Sequence, residues 1–148
     1  MTILYPLTIL YPFLLFFAVA VSPTLDQIRA DANPEHRAKA AVEYAAMAER
    51  SVEQANENAD VARLAAQLYN MVAAMELARD SFAAAGKTPS RQPGSFKNAE
   101  LRSHEILHRL TDLRSIMDSG ERQVLDGPIM KVQEIHDAWF DGIMGNKK

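Results

Sequence analysis

Residues Ser95–Gly120 read SFKNAELRSHEILHRLTDLRSIMDSG, and the fold turns on how they are read. Phe96, Ala99, Ser103, Ile106, Leu110, Leu113 and Met117 recur at alternating steps of three and four, which lays one stripe along a helix. The same stretch contains His104-Glu105-Ile106-Leu107-His108, a match to the H-E-x-x-H pattern of zinc hydrolases. In that chemistry two histidines one turn apart hold the zinc while the glutamate deprotonates its water. On an ideal helix, however, His104 and His108 point roughly 140° and 180° away from the centre of the stripe, toward solvent. Arg102 and Arg109 add positive charge beside them, and no third histidine follows at a suitable spacing, leaving Glu121 or Glu134 as unanchored third ligands. The packing stripe is the preferred reading, and a zinc-dependent hydrolase using the HEILH motif is the alternative. Glu105 and His108 also spell one Glu-x-x-His of the di-iron type, but such a site needs a second copy and none exists.

Upstream of this stretch, Asn33-Pro34 supplies an N-cap followed by proline at the first helical position, where its missing N–H costs nothing. Ala38, Ala41, Ala45, Ala48, Val52 and Ala55 then predict a helix from Pro34 to about Ala55 with a narrow face that lets a neighbour approach closely. Asn56-Glu57-Asn58 predicts a tight turn, and Val61, Leu64, Ala65, Leu68, Val72, Met75 and Phe82 resume the helical period to about Ala85. Gly86 suits a left-handed helix end. The connection GKTPSRQPGS separates two helical hairpins. Lys87, Arg91, Lys97 and Arg102 make a modest basic cluster around it, read first as a solvated, charged connection.

Downstream, Asp118-Ser119-Gly120-Glu121 has the spacing of a capping box and predicts a short turn into a fourth helix. Pro128 is expected to break or kink that helix, after which Ile129, Val132, Ile135, Trp139 and Ile143 share a face and Gly142 and Gly145 mark a fraying end. His136 falls among those apolar positions and reads as a core histidine satisfied by one hydrogen bond, with Glu134 and Asp137 turned too far away on the same helix to be its partners. The sum is all-α: an up-down four-helix bundle of two antiparallel hairpins over residues 34–145, after a lead-in at 21–33 and before a tail at 146–148.

Ile3–Val21 is apolar almost throughout and is followed by no charge before Asp26, and Ala18-Val19-Ala20 carries the small residues of a cleavage site. Residues 1–20 are expected to be a secretory signal peptide cut after Ala20, or else a membrane anchor using residues 3–21. Export to the periplasm or the extracellular space follows as an expectation.

The chain has 148 residues, a net charge of −3 from 16 basic and 19 acidic side chains, and no cysteine. That length buries a core without staples, the charge offers no field for nucleic acid, and the absence of thiols excludes disulfides and thiolate chemistry. No nucleophile elbow, P-loop or dinucleotide fingerprint occurs. From Pro34 onward, and chiefly in GKTPSRQPGSFKNAELR and VQEIHDAWFDGIMG, the chain resembles small exported bacterial helical proteins without an assigned activity. The resemblance implies an all-helical exported protein and carries over no catalytic residue. The expectation is a non-enzymatic binding or structural domain, with no catalytic, cofactor-binding or metal residue assigned, and a protein or envelope component as partner. Its contact surface would be the basic interhairpin connection or the face bearing Leu101, His104 and His108; the oligomeric state stays open.

Overall fold

A computed structural model describes residues 22–145. The predicted signal or anchor segment and the tail at 146–148 lie outside the described residues. The elements are α1 (Leu25–Arg29), α2 (Pro34–Glu57), α3 (Val61–Ala84), α4 (Pro93–Ile116), a 3-10 turn (Arg122–Leu125) and α5 (Asp126–Met144). Among the described residues there is no strand, and no helix is long and apolar enough to cross a membrane.

The lead-in is helical where only a mixed-charge segment was expected. Thr24 accepts from the Gln27 N–H and donates its own N–H to Gln27 Oε1, a reciprocal cap that starts α1. Ile28 is then buried and docks the short helix on α2 and α3. Asn33 caps α2 as its sequence predicts, accepting from the His36 N–H at 3.1 Å.

Helix α2 runs two residues past the expected end, and the chain reverses at Asn58–Asp60. The Asp60 N–H donates to the Ala55 carbonyl and the Ala59 N–H to that of Asn56, the double bond of a Schellman ending. This places Ala59 at φ 52, where glycine is usual. The same ending closes α3 with Gly86 at φ 70, bonded through Gly86 N–H to Ala83 and Lys87 N–H to Phe82.

Two antiparallel hairpins, α2–α3 and α4–α5, form the bundle, in agreement with the sequence. The α2–α3 pair packs most extensively, with small buried residues on both helices: Ala38, Ala41, Ala45, Ala48 and Ala55 of α2 and Ala74 and Ala78 of α3. The hairpins then pack with α2 beside α4 and α3 beside α5. Glu43 meets Asn98 and Arg102 while Glu53 meets Arg109, so α2 and α4 run in the same direction. Consecutive helices α3 and α4 consequently stand at diagonal corners, and residues 85–92 carry the chain over the end of the bundle. Across that diagonal the Phe82 and Phe96 rings meet at 4.3 Å with a tilt of 32°, and Trp139 of α5 completes the cluster at 5.9 and 6.2 Å. Each such buried side chain contributes about 1.5–3 kcal/mol.

The second hairpin departs from expectation at its turn. Asp118 offers its backbone carbonyl, not its side chain, to Glu121 and Arg122, and a 3-10 turn intervenes before α5. Pro128 does not kink a helix; it sits in the first turn of α5, where the N–H would have no helical acceptor anyway. Nor is Gly142 a mark of fraying. A Cβ there would run into the Pro89 ring, so the interhairpin connection lies directly on α5.

Candidate functional site

Within HEILH, His104 and His108 stand four residues apart and leave α4 only about 40° from one another, whereas Glu105 is set about 100° from His104. Glu105 turns toward α2: its Oε2 accepts from Arg102 Nη1 at 3.1 Å and its Oε1 lies 3.8 Å from Arg109 Nη1. His108 faces outward, 72% exposed, with Nδ1 3.6 Å from Asp112 Oδ2. His104 is exposed too, yet it does not stand alone: its ring centre is 5.8 Å from that of His136 on α5. The stripe omitted Leu107, which is buried and widens the packed face of α4 toward α5, so His104 borders the α4–α5 seam. Among the described residues no three His, Asp or Glu side chains are grouped so as to hold a metal ion.

His136 is 7% exposed, and its Nε2 lies 3.1 Å from Glu100 Oε1 on α4. Its Nδ1 lies 3.3 Å from Asp137 Oδ1, which also accepts from Gln133 Nε2 at 2.7 Å. The expectation that Asp137 is out of reach is therefore wrong; a side-chain rotation closes what the backbone angle opens. Phe140 stacks on the imidazole at 5.9 Å with an interplanar angle of 19°. Both ring nitrogens and one ring face are occupied, which makes this residue a fastener of the α4–α5 hairpin.

The most unusual group is one the sequence reading passed over. Glu49 on α2 is 1% exposed; Oε2 lies 3.1 Å from Arg109 Nε, while Oε1 is buried without a partner. Arg109 also donates through Nη2 to Glu53 Oε2 at 2.7 Å and so ties α4 to two turns of α2. Burial, and next the charge of Glu53, push the Glu49 carboxyl up to about 8, with Arg109 opposing. A signal existed: Val42, Ala45, Glu49 and Val52 are spaced by three and four, so Glu49 stands in an apolar register.

The basic cluster near the interhairpin connection is partly neutralised. Lys87 pairs with Glu35 at 3.1 Å and Arg102 with Glu43 at 3.2 Å. A concavity lies at the opposite end of the bundle, where the α2–α3 turn faces the α4–α5 connection. There a cleft of about 630 Å³ has Leu64 and Met117 among its lining, with Asp60, Asp118 and Glu121 also facing it. No lysine or arginine lines it, and none of these three carboxylates makes an ion pair among the described residues. Around it Val61, Ile116 and Val124 are 71%, 76% and 43% exposed. No protein-family model matches the chain, and no curated protein or solved structure matches it either.

Proposed function

We propose that this protein is a non-enzymatic helical binding module that docks a basic, amphipathic segment of a partner protein at the cleft between the α2–α3 turn and the α4–α5 connection. The observation that carries this is the pairing, in one concavity, of an apolar lining with three carboxylates and no cation. Large apolar side chains exposed around a cleft mark interaction sites, because covering them removes apolar surface from water. Carboxylates with no cationic partner add a preference for lysine and arginine and suppress acidic partners. A non-catalytic role is supported by Glu105, the residue that would have to activate a water, being engaged instead by Arg102 and Arg109, with His104 and His108 exposed on α4. Export and an envelope partner belong to the same proposal and rest on the apolar, uncharged segment 3–21.

The test is fluorescence anisotropy with a labelled helical peptide of leucine and lysine, beside its leucine and glutamate counterpart. Saturable binding of the lysine peptide alone, weakened by salt and at least about tenfold by Ile116→Arg or by Asp118→Lys with Glu121→Lys, is expected. Equal binding of both peptides, or no change in either variant, would sink the reading. One zinc held per chain after dialysis, and lost in His108→Ala, would overturn its non-enzymatic part.

A further inference from the structure

Four carboxylates and two guanidinium groups meet along the α2–α4 seam. Glu43, Glu49 and Glu53 come from α2 and Glu105 from α4, against Arg102 and Arg109 of α4. Arg50, exposed on α2, pulls weakly in favour of an ionised Glu49. Helix α3, which also packs on α2, carries no charged side chain from Leu64 to Met75, and α1 packs on α2 as well. Helix α5 packs on α3 and α4 rather than on α2, and its Lys131 is held by Glu134 at 3.5 Å. The seam is thus short of positive charge, and Glu49, the member with no access to water, bears most of the deficit.

A second groove, of about 580 Å³, opens on the outer side of the seam, where Glu53, Glu57, Asp112 and Arg109 line it. It adjoins the docking cleft, since Asn56 and Ile116 line both. Glu53, 28% exposed at its side chain, therefore belongs to the groove and to the Arg109 cluster at once.

We propose that Glu49 is a proton-operated latch: a cation docking against Glu53, Glu57 and Asp112 expels the proton of Glu49 to solvent. Protonated, Glu49 needs no counter-charge and leaves the Arg109 charge to Glu53 and Glu105. Ionised, the buried carboxylate claims Arg109 for itself, and Glu53 turns its charge to the groove. An incoming ammonium or guanidinium group supplies the missing positive charge, so cation binding and proton loss favour one another in equal measure. The identity of the cation, a basic side chain of the docked segment, rests on the function proposed above; the latch itself does not.

Two measurements test it on the full chain. Carboxyl carbon-13 titration of the free protein is expected to place the Glu49 midpoint at about 8, above every other glutamate, and the leucine and lysine peptide is expected to lower it. Calorimetry in phosphate and in Tris at pH 7 is expected to show proton release on peptide binding that disappears in Glu49→Gln while binding persists. A Glu49 midpoint among those of the other glutamates, or equal proton release in the variant, overturns the latch. Should the peptide not bind, the docking reading falls, and arginine amide takes its place as the probe; a Glu49 midpoint that it leaves unmoved overturns the latch as well.

Discussion

His136 on α5 meets Glu100 on α4 through Nε2 at 3.1 Å, and the contact joins two helices with the imidazole buried and the carboxylate 21% exposed. Removing one partner leaves the other polar and poorly solvated, the costlier half of a broken hydrogen bond. His136→Ala and Glu100→Ala are each expected to lower stability by about 1–3 kcal/mol in urea unfolding. Because the two share one contact, the double variant should lose less than the total of the single losses by at least about 0.5 kcal/mol. Strict additivity would show that the pair is only a neighbourly arrangement.

Stability should depend on pH through Glu49. The folded chain keeps that proton up to about 8, whereas the unfolded chain releases it near the ordinary glutamate value of 4.5. Between those values the folded state binds more protons, so stability is greatest below the lower one and falls as pH rises through the upper one. The slope is at most about 1.4 kcal/mol per pH unit. Urea midpoints at pH 6 and pH 9 should differ clearly for the wild type and little for Glu49→Gln; parallel behaviour of the two proteins refutes the assignment.

Ala59 is the residue whose backbone and side chain disagree. At φ 52 an alanine incurs a steric cost that Gly86, at φ 70 in the equivalent ending of α3, avoids. Ala59→Gly is expected to stabilise the chain by about 1 kcal/mol, read as a higher Tm, although glycine gains entropy in the unfolded state. A lower Tm would mean that the methyl group contributes more to the end cleft than its backbone strain costs.

Gly142 should resist even the smallest addition. A methyl there meets Pro89, and overpacking of this kind costs about 1–3 kcal/mol even though alanine is the better helix former. Gly142→Ala is expected to destabilise the fold and to speed hydrogen exchange in residues 86–92, whereas Gly145→Ala, at the end of α5, should leave that connection as protected as before.

The sequence by itself determined the helices, because periodicity and capping are local properties of the chain. The stripe from Phe96 to Met117, the Asn33-Pro34 start and the Gly86 stop all lie where the residues place them. The two hairpins followed from them. Their mutual arrangement did not: a connection as long as 85–92 permits α4 to stand beside α2 or α3, and the packing of the hairpins, with Phe82, Phe96 and Trp139 meeting between α3, α4 and α5, selects one. Everything of chemical interest depends on that selection. Glu49 meets Arg109 and His136 meets Glu100 across helices separated by more than thirty positions in sequence, and one helix's angular arithmetic carries no information about its neighbour. Charge, burial and cleft arise from proximity in space, which the chain acquires only when its hairpins are packed together.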